Sequence, residues 1–141
     1  MKQIISTVVL LMLTVSMVFA SAFPRDTRVV GVVFDPGEDT INIADETKTD
    51  APVMYRFRAT QGQSLSVALS TESEKADFKL YAPGKWPGIV IHDSGAGDGL
   101  HFKGKIEQDG AYAVVVSPST KGKNQGASAK FDLMITLKSA P

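Results

Sequence analysis

Through most of the segments from Val30 onward, apolar residues recur at every second position, and no segment sustains a helical period. Val30, Val32 and Phe34 alternate first, then Ile41 and Ile43. In Val53–Thr60, Tyr55, Phe57 and Ala59 share one face and Arg56 and Arg58 the other. Leu65, Val67 and Leu69 alternate with serines, Phe78 and Leu80 follow, and Phe131, Leu133, Ile135 and Leu137 close the chain. Successive side chains of a strand point to opposite faces, so this period describes strands with one buried and one wet face. That is the pattern of antiparallel sheet. Breakers fall at close intervals: Asp35-Pro36-Gly37, Gln61-Gly62 and Ala82-Pro83-Gly84. The spacing predicts an all-β antiparallel sandwich, jelly-roll-like, of eight or nine short strands. The short turn at Thr60–Gln63 predicts a paired β-hairpin. So do the two connections of the stretch Ile89–Pro118, which reads as strand, Gly-rich loop, strand, turn, strand.

The first residues stand apart from this pattern. Lys2 is the sole charge before Arg25, and Ile4 to Ala20 is apolar apart from four Ser and Thr. Val18-Phe19-Ala20 and Ala20-Ser21-Ala22 are acceptable small-residue cleavage sites. Residues 1–22 therefore read as a secretory signal peptide, and 23–141 as a single sandwich domain in the periplasm or beyond it. No second apolar run of membrane length follows, so no membrane association is expected after signal removal. Removal of Lys2 leaves 14 Lys and Arg against 15 Asp and Glu, without the basic excess that nucleic acid demands. Cys is absent. An exported domain without disulfides must hold together by core packing, and thiolate, iron–sulfur and Cys-type zinc chemistry are excluded.

The order of several motifs carries a resemblance. Tyr55-x-Phe57-x-Ala59-x-x-Gly62-Gln63-x-Leu65-x-Val67 is followed by Ala76-Asp77-Phe78-x-Leu80-Tyr81-x-Pro83, then by Asp109-Gly110-x-Tyr112-x-Val114-x-Val116 and a last alternating strand. This resembles the pre-peptidase C-terminal type of β-sandwich. With Phe34-x-Pro-Gly37 before it and the loop Ser94-Gly95-x-Gly97-Asp98 within it, the exported chain looks most like the bacterial periplasmic inhibitors of invertebrate-type and goose-type lysozymes. The resemblance implies a non-enzymatic binding protein whose Ser-bearing loop enters a lysozyme cleft beside a cation. The last Arg is Arg58; in Ser117–Ala129 the cations are Lys121 and Lys123. Arg grips a carboxylate through a bidentate fork that Lys lacks.

Residue chemistry fits such a role. A lysozyme cleft holds two carboxyl groups, and a blocking loop must offer donors. Ser94 supplies a hydroxyl, Gly95 and Gly97 bring bare backbone close, and Lys121 or Lys123 supplies charge; Asp98 lies in the same loop. Trp86, between Lys85 and Pro87, is a further contact residue. The alternative is an envelope module that binds carbohydrate through Trp86 or Ca²⁺ through Asp93 and Asp98, although calcium wants six to eight oxygens. His92 and His101 flank the loop and, in a hairpin, would face each other, but no further zinc ligand has suggestive spacing. His92-Asp93-Ser94 carries the residue types of a catalytic triad, yet strand neighbours point to opposite faces and cannot chain their hydrogen bonds. No enzyme activity and no cofactor is expected. Open sheet edges make a homodimer plausible.

Overall fold

The computed structural model describes residues 27–48, 51–72, 75–119 and 128–140. The signal segment 1–22 and the pair Lys121 and Lys123 lie outside the described residues. The described residues form nine strands: β1 (Arg28–Gly31), β2 (Thr40–Thr47), β3 (Val53–Ala59), β4 (Ser64–Thr71), β5 (Ala76–Ala82), β6 (Ile89–Asp93), β7 (His101–Lys105), β8 (Gly110–Pro118) and β9 (Ala129–Lys138). They make two sheets, one ordered β1-β3-β8-β5-β6 and the other β2-β9-β4-β7. Without β1, these are the two four-stranded sheets of a jelly roll. β1 adds a parallel edge beside β3, Arg28 opposite Val53, to an otherwise antiparallel fold.

The period of two does what burial requires of it. Tyr55, Phe57, Phe78, Leu80, Val114 and Val116 face inward from the five-stranded sheet. Leu65, Val67, Phe131, Leu133 and Ile135 meet them from the other sheet. Each such side chain contributes about 1.5–3 kcal/mol when fully buried. Tyr55 and Phe131 touch edge to face across the gap, their ring centroids 6.4 Å apart at 75°. Arg56 and Arg58 point out of the same strand, as their alternation requires. Also on the outer face, Met54, Tyr81, Ala113 and Val115 form a small second cluster.

The pairing differs from the expected hairpins. β3 and β4 sit in different sheets; so do β6 and β7, and β7 and β8. Seven of the eight connections cross the sandwich, and only β5 and β6, joined by 83–88, form a hairpin. Alternation tells which side of a strand is apolar, but two strands with apolar sides can meet across the core as well as along an edge. Thr60–Gln63 turns the corner between layers: the Gly62 N–H donates to the Ile106 carbonyl at 2.9 Å, and the Gln61 N–H to Asp109 Oδ1 at 2.7 Å.

The Asp-Gly-x-Tyr unit is architecture. Asp109 ties the two turns at one end of the sandwich through Gln61. Gly110 has φ of 146°, and a Cβ there would come within 2.8 Å of Pro83 Cγ. Tyr112 stacks on Phe57 at 6.1 Å, and its hydroxyl donates back to the Gln108 carbonyl at 2.8 Å.

Candidate partner-binding loop

β6 ends where its chain must leave one sheet for the other, and residues 94–100 make that crossing. Ser94–Ala96 form a single 3₁₀ turn closed by the Gly97 N–H on the Ser94 carbonyl at 3.2 Å. Gly97 and Gly99 take φ of 99° and 89°, the left-handed region that glycine enters without steric cost. Asp98 folds back on Asp93: its N–H donates to the Asp93 carbonyl at 3.2 Å, and its Oδ2 accepts from the Asp93 N–H at 3.0 Å. The second interaction caps the backbone at the end of β6. His92 anchors the far side, where its Nε2–H donates to the Gly99 carbonyl at 2.7 Å.

Ser94 is the pin of this loop. It is 5% exposed. Its Oγ accepts from the Phe78 N–H at 2.8 Å and donates to Asp77 Oδ1 at 3.0 Å. The hydroxyl proposed from sequence as a donor to a partner is thus spent inside the protein. A Cβ on Gly95 would lie 3.3 Å from Asp93 Oδ1 and 3.6 Å from Asp77 Oδ2, so glycine lets the turn settle on those carboxylates. The exposed tip is Ala96, Gly97, Asp98 and Gly99. Lys79 Nζ stands 4.0 Å from Asp93 Oδ2, a half-exposed pair of little energetic weight.

The two histidines do not face each other. His92 is buried, stacked on Phe78 at 5.0 Å and edge-on to Phe102 at 5.5 Å. His101 lies on the exposed side of β7, its Nε2 3.1 Å from Ser66 Oγ. The expectation of a facing pair assumed that β6 and β7 were hairpin partners. Among the described residues no three His, Asp or Glu side chains converge on a point that would hold a metal ion. Asp93 and Asp98 spend carboxylate oxygens on the loop itself or on Lys79.

The predicted contact residues divide between opposite ends of the molecule. Ala76 pairs with Pro118 and Lys79 with Asp93, so the 94–100 loop and both flanks of 119–128 emerge at one end. The Ser119 N–H is fixed there on the Lys75 carbonyl at 2.7 Å. Trp86 lies before the other end of β6, roughly 17 Å of strand away at about 3.3 Å per residue. It is 50% exposed, and the Arg56 guanidinium carbon lies 5.2 Å from its ring centroid on the outer face of the five-stranded sheet. Ser94, Gly95, Gly97 and Asp98 therefore form one group; Trp86 belongs to another surface.

Two features escaped the sequence reading. Asp77 holds Ser94 from 17 positions away, and only the pairing of β5 with β6 brings them together. β6 is an edge strand whose Ile89, Val90 and Ile91 are all exposed. The apolar run Ile89-Val90-Ile91, which does not alternate with polar residues, was the available signal.

No protein-family model matches the sequence, and no curated protein matches it. Solved structures do. Aeromonas hydrophila PliG, a periplasmic lysozyme inhibitor of g-type lysozyme, matches with a TM-score of 0.68 at 23% identity, covering 80% of this chain and 98% of that one. The chain shares the fold of this inhibitor of g-type lysozyme. Salmonella Typhimurium PliG matches with a TM-score of 0.60 at 24% identity over 79% of this chain and 98% of its own. The pre-peptidase C-terminal domain of a Bacillus anthracis collagenase matches with a TM-score of 0.56 at 12% identity over 78% and 96%. Both the family and the wider sandwich type that the sequence resembles are thus its structural neighbours.

Proposed function

We propose that this chain is an exported, non-enzymatic binding protein of the bacterial envelope that blocks a g-type lysozyme with the 94–100 loop. The observation that carries this reading is the loop itself. It is a pinned, glycine-bearing turn projecting from one end of a sandwich shared with inhibitors of g-type lysozyme. A loop held by Ser94, Asp98 and His92 loses little freedom on binding, which favours insertion into a cleft. Ser94 acts here as the residue that positions the tip. Contact falls to Ala96, Gly97 and Asp98, with Lys121 and Lys123 as the accompanying cations.

The test is lysis of peptidoglycan by goose-, invertebrate- and chicken-type lysozymes in the presence of the purified protein. Inhibition of the goose type at micromolar concentration is expected. Ala96→Glu, which adds a negative charge to the exposed tip, should weaken it about tenfold or more, because like charges opposed in an interface cost several kcal/mol. Failure to slow any of the three enzymes sinks the inhibitor reading, and an unchanged Ala96→Glu variant moves the contact to another surface.

Trp86 supports a second reading, a glycan- or protein-contacting module. It is half-exposed and lies beside Arg56, far from the loop. Since it is the only Trp, its fluorescence would report such binding directly. Quenching by peptidoglycan fragments, with inhibition absent, would favour this reading over the first.

A further inference from the structure

The four sheet edges are not protected alike. β1 is only four residues long and opens with Arg28. β2 carries Asp45 and Glu46. β7 shows His101, Lys103 and Lys105 outward, alternating with Phe102 and Gly104. Short length and charge are the devices by which natural sheets keep edges from pairing. β6 is also short, five residues with a register irregularity at Ile91, but its first three residues carry no charge. Ile89, Val90 and Ile91 are 59%, 47% and 44% exposed, with no charge or Pro among them. Ile89 and Ile91 also line a groove with Phe102, Ile106 and Tyr112, between the β6 and β7 edges.

The triplet reads the same in both directions. In an antiparallel pair centred on Val90, each Ile89 meets the other copy's Ile91, and Val90 meets itself. The same reversal brings the end of the strand preceded by exposed Lys85 towards the partner's Asp93, so the flanking charges are complementary. A two-fold pair of this kind is isologous and closes on itself, which covers the edge without growing a fibre.

We propose that two copies of this chain associate through antiparallel pairing of β6, joining their five-stranded sheets edge to edge. Three side chains a side fall short of the roughly 800 Å² per partner of a standard interface. The assembly is therefore a weak, concentration-dependent dimer. The 94–100 tips lie beyond the paired segment, one at each end of it, so pairing leaves both free for a partner. This inference does not depend on the target of the loop.

Sedimentation velocity over a wide concentration range, on protein produced from the full-length coding sequence, tests it. A reversible monomer–dimer equilibrium is expected. Val90→Lys, on an exposed position, should raise the dimer dissociation constant about tenfold or more while leaving the thermal midpoint unchanged. Val90→Thr should weaken the dimer less, and Val33→Lys, at an 82% exposed site away from β6, should not affect it. A monomer at every concentration overturns the proposal, even if Val90→Lys then proves to impair lysozyme binding. So does a dimer that Val90→Lys leaves intact.

Discussion

Replacing Ser94 with Ala leaves the buried Phe78 N–H without its acceptor and Asp77 without its donor. An unsatisfied buried group costs roughly 1–3 kcal/mol, and Ser94→Ala should lower unfolding stability by that amount in a denaturant titration. A stability unchanged within error would show that the hydroxyl is not the pin described above. Any loss of inhibition in this variant must be read beside that destabilisation, which is why the tip variant at Ala96 is the cleaner probe. A second residue-scale expectation concerns Asp45. Burial alone would raise its pKa, but the Arg28 guanidinium at 2.8 Å, the Tyr55 hydroxyl at 2.7 Å and the Glu46 N–H together hold it below the usual carboxylate range. Its unfolded value is about 3.9. The folded value lies lower, so its contribution is fully present above about pH 4 and is lost as pH falls through the folded value. Asp45→Asn should flatten the acid limb of the stability–pH curve below about pH 4. An acid limb identical to the parent's would mean that other carboxylates govern it.

Among the elements, the turn into β8 shows how local grammar and tertiary need coincide. Asp109-Gly110 is a common turn pair, legible in the sequence, yet the reason Gly is required at 110 is Pro83 from another loop. Gly110→Ala adds a Cβ collision to a strained φ and should cost roughly 1–3 kcal/mol. Gly37→Ala, at φ of 83° with nothing within 4 Å, bears only the conformational part and should cost less. Equal losses in the two variants, measured by thermal unfolding, would remove the role assigned to Pro83. The faces of the strands could be read in advance, because burial on one side imposes period two and leaves Tyr55 and Phe57 in, Arg56 and Arg58 out. Strand partners could not. Thr60–Gln63 looks like a hairpin turn and is a corner between layers. The placement of Ser94 was hidden for the same reason: its partners Asp77 and Phe78 lie on β5, and no local pattern announces a contact across two strands.

At the scale of the whole molecule, the sorting of site residues follows from strand direction alone. Because β6 runs from the Trp86 loop to the Ser94 loop, those two candidates stand at opposite ends of it. The resemblance in motif order foresaw the sandwich, since hairpin grammar repeated at fixed spacing reflects the fold. It could not foresee which loops converge, since convergence depends on the order of strands within each sheet. That order also bears on how the chain reaches its native state. With seven of eight connections crossing between layers, nearly every strand waits for a partner distant in sequence. Loop-closure entropy must be overcome before those contacts stabilise anything, so such topologies fold in about milliseconds to seconds, where helical bundles need microseconds to milliseconds. For the exported role proposed above, that delay is useful: the chain can cross the membrane as an extended thread before its sheets have time to close.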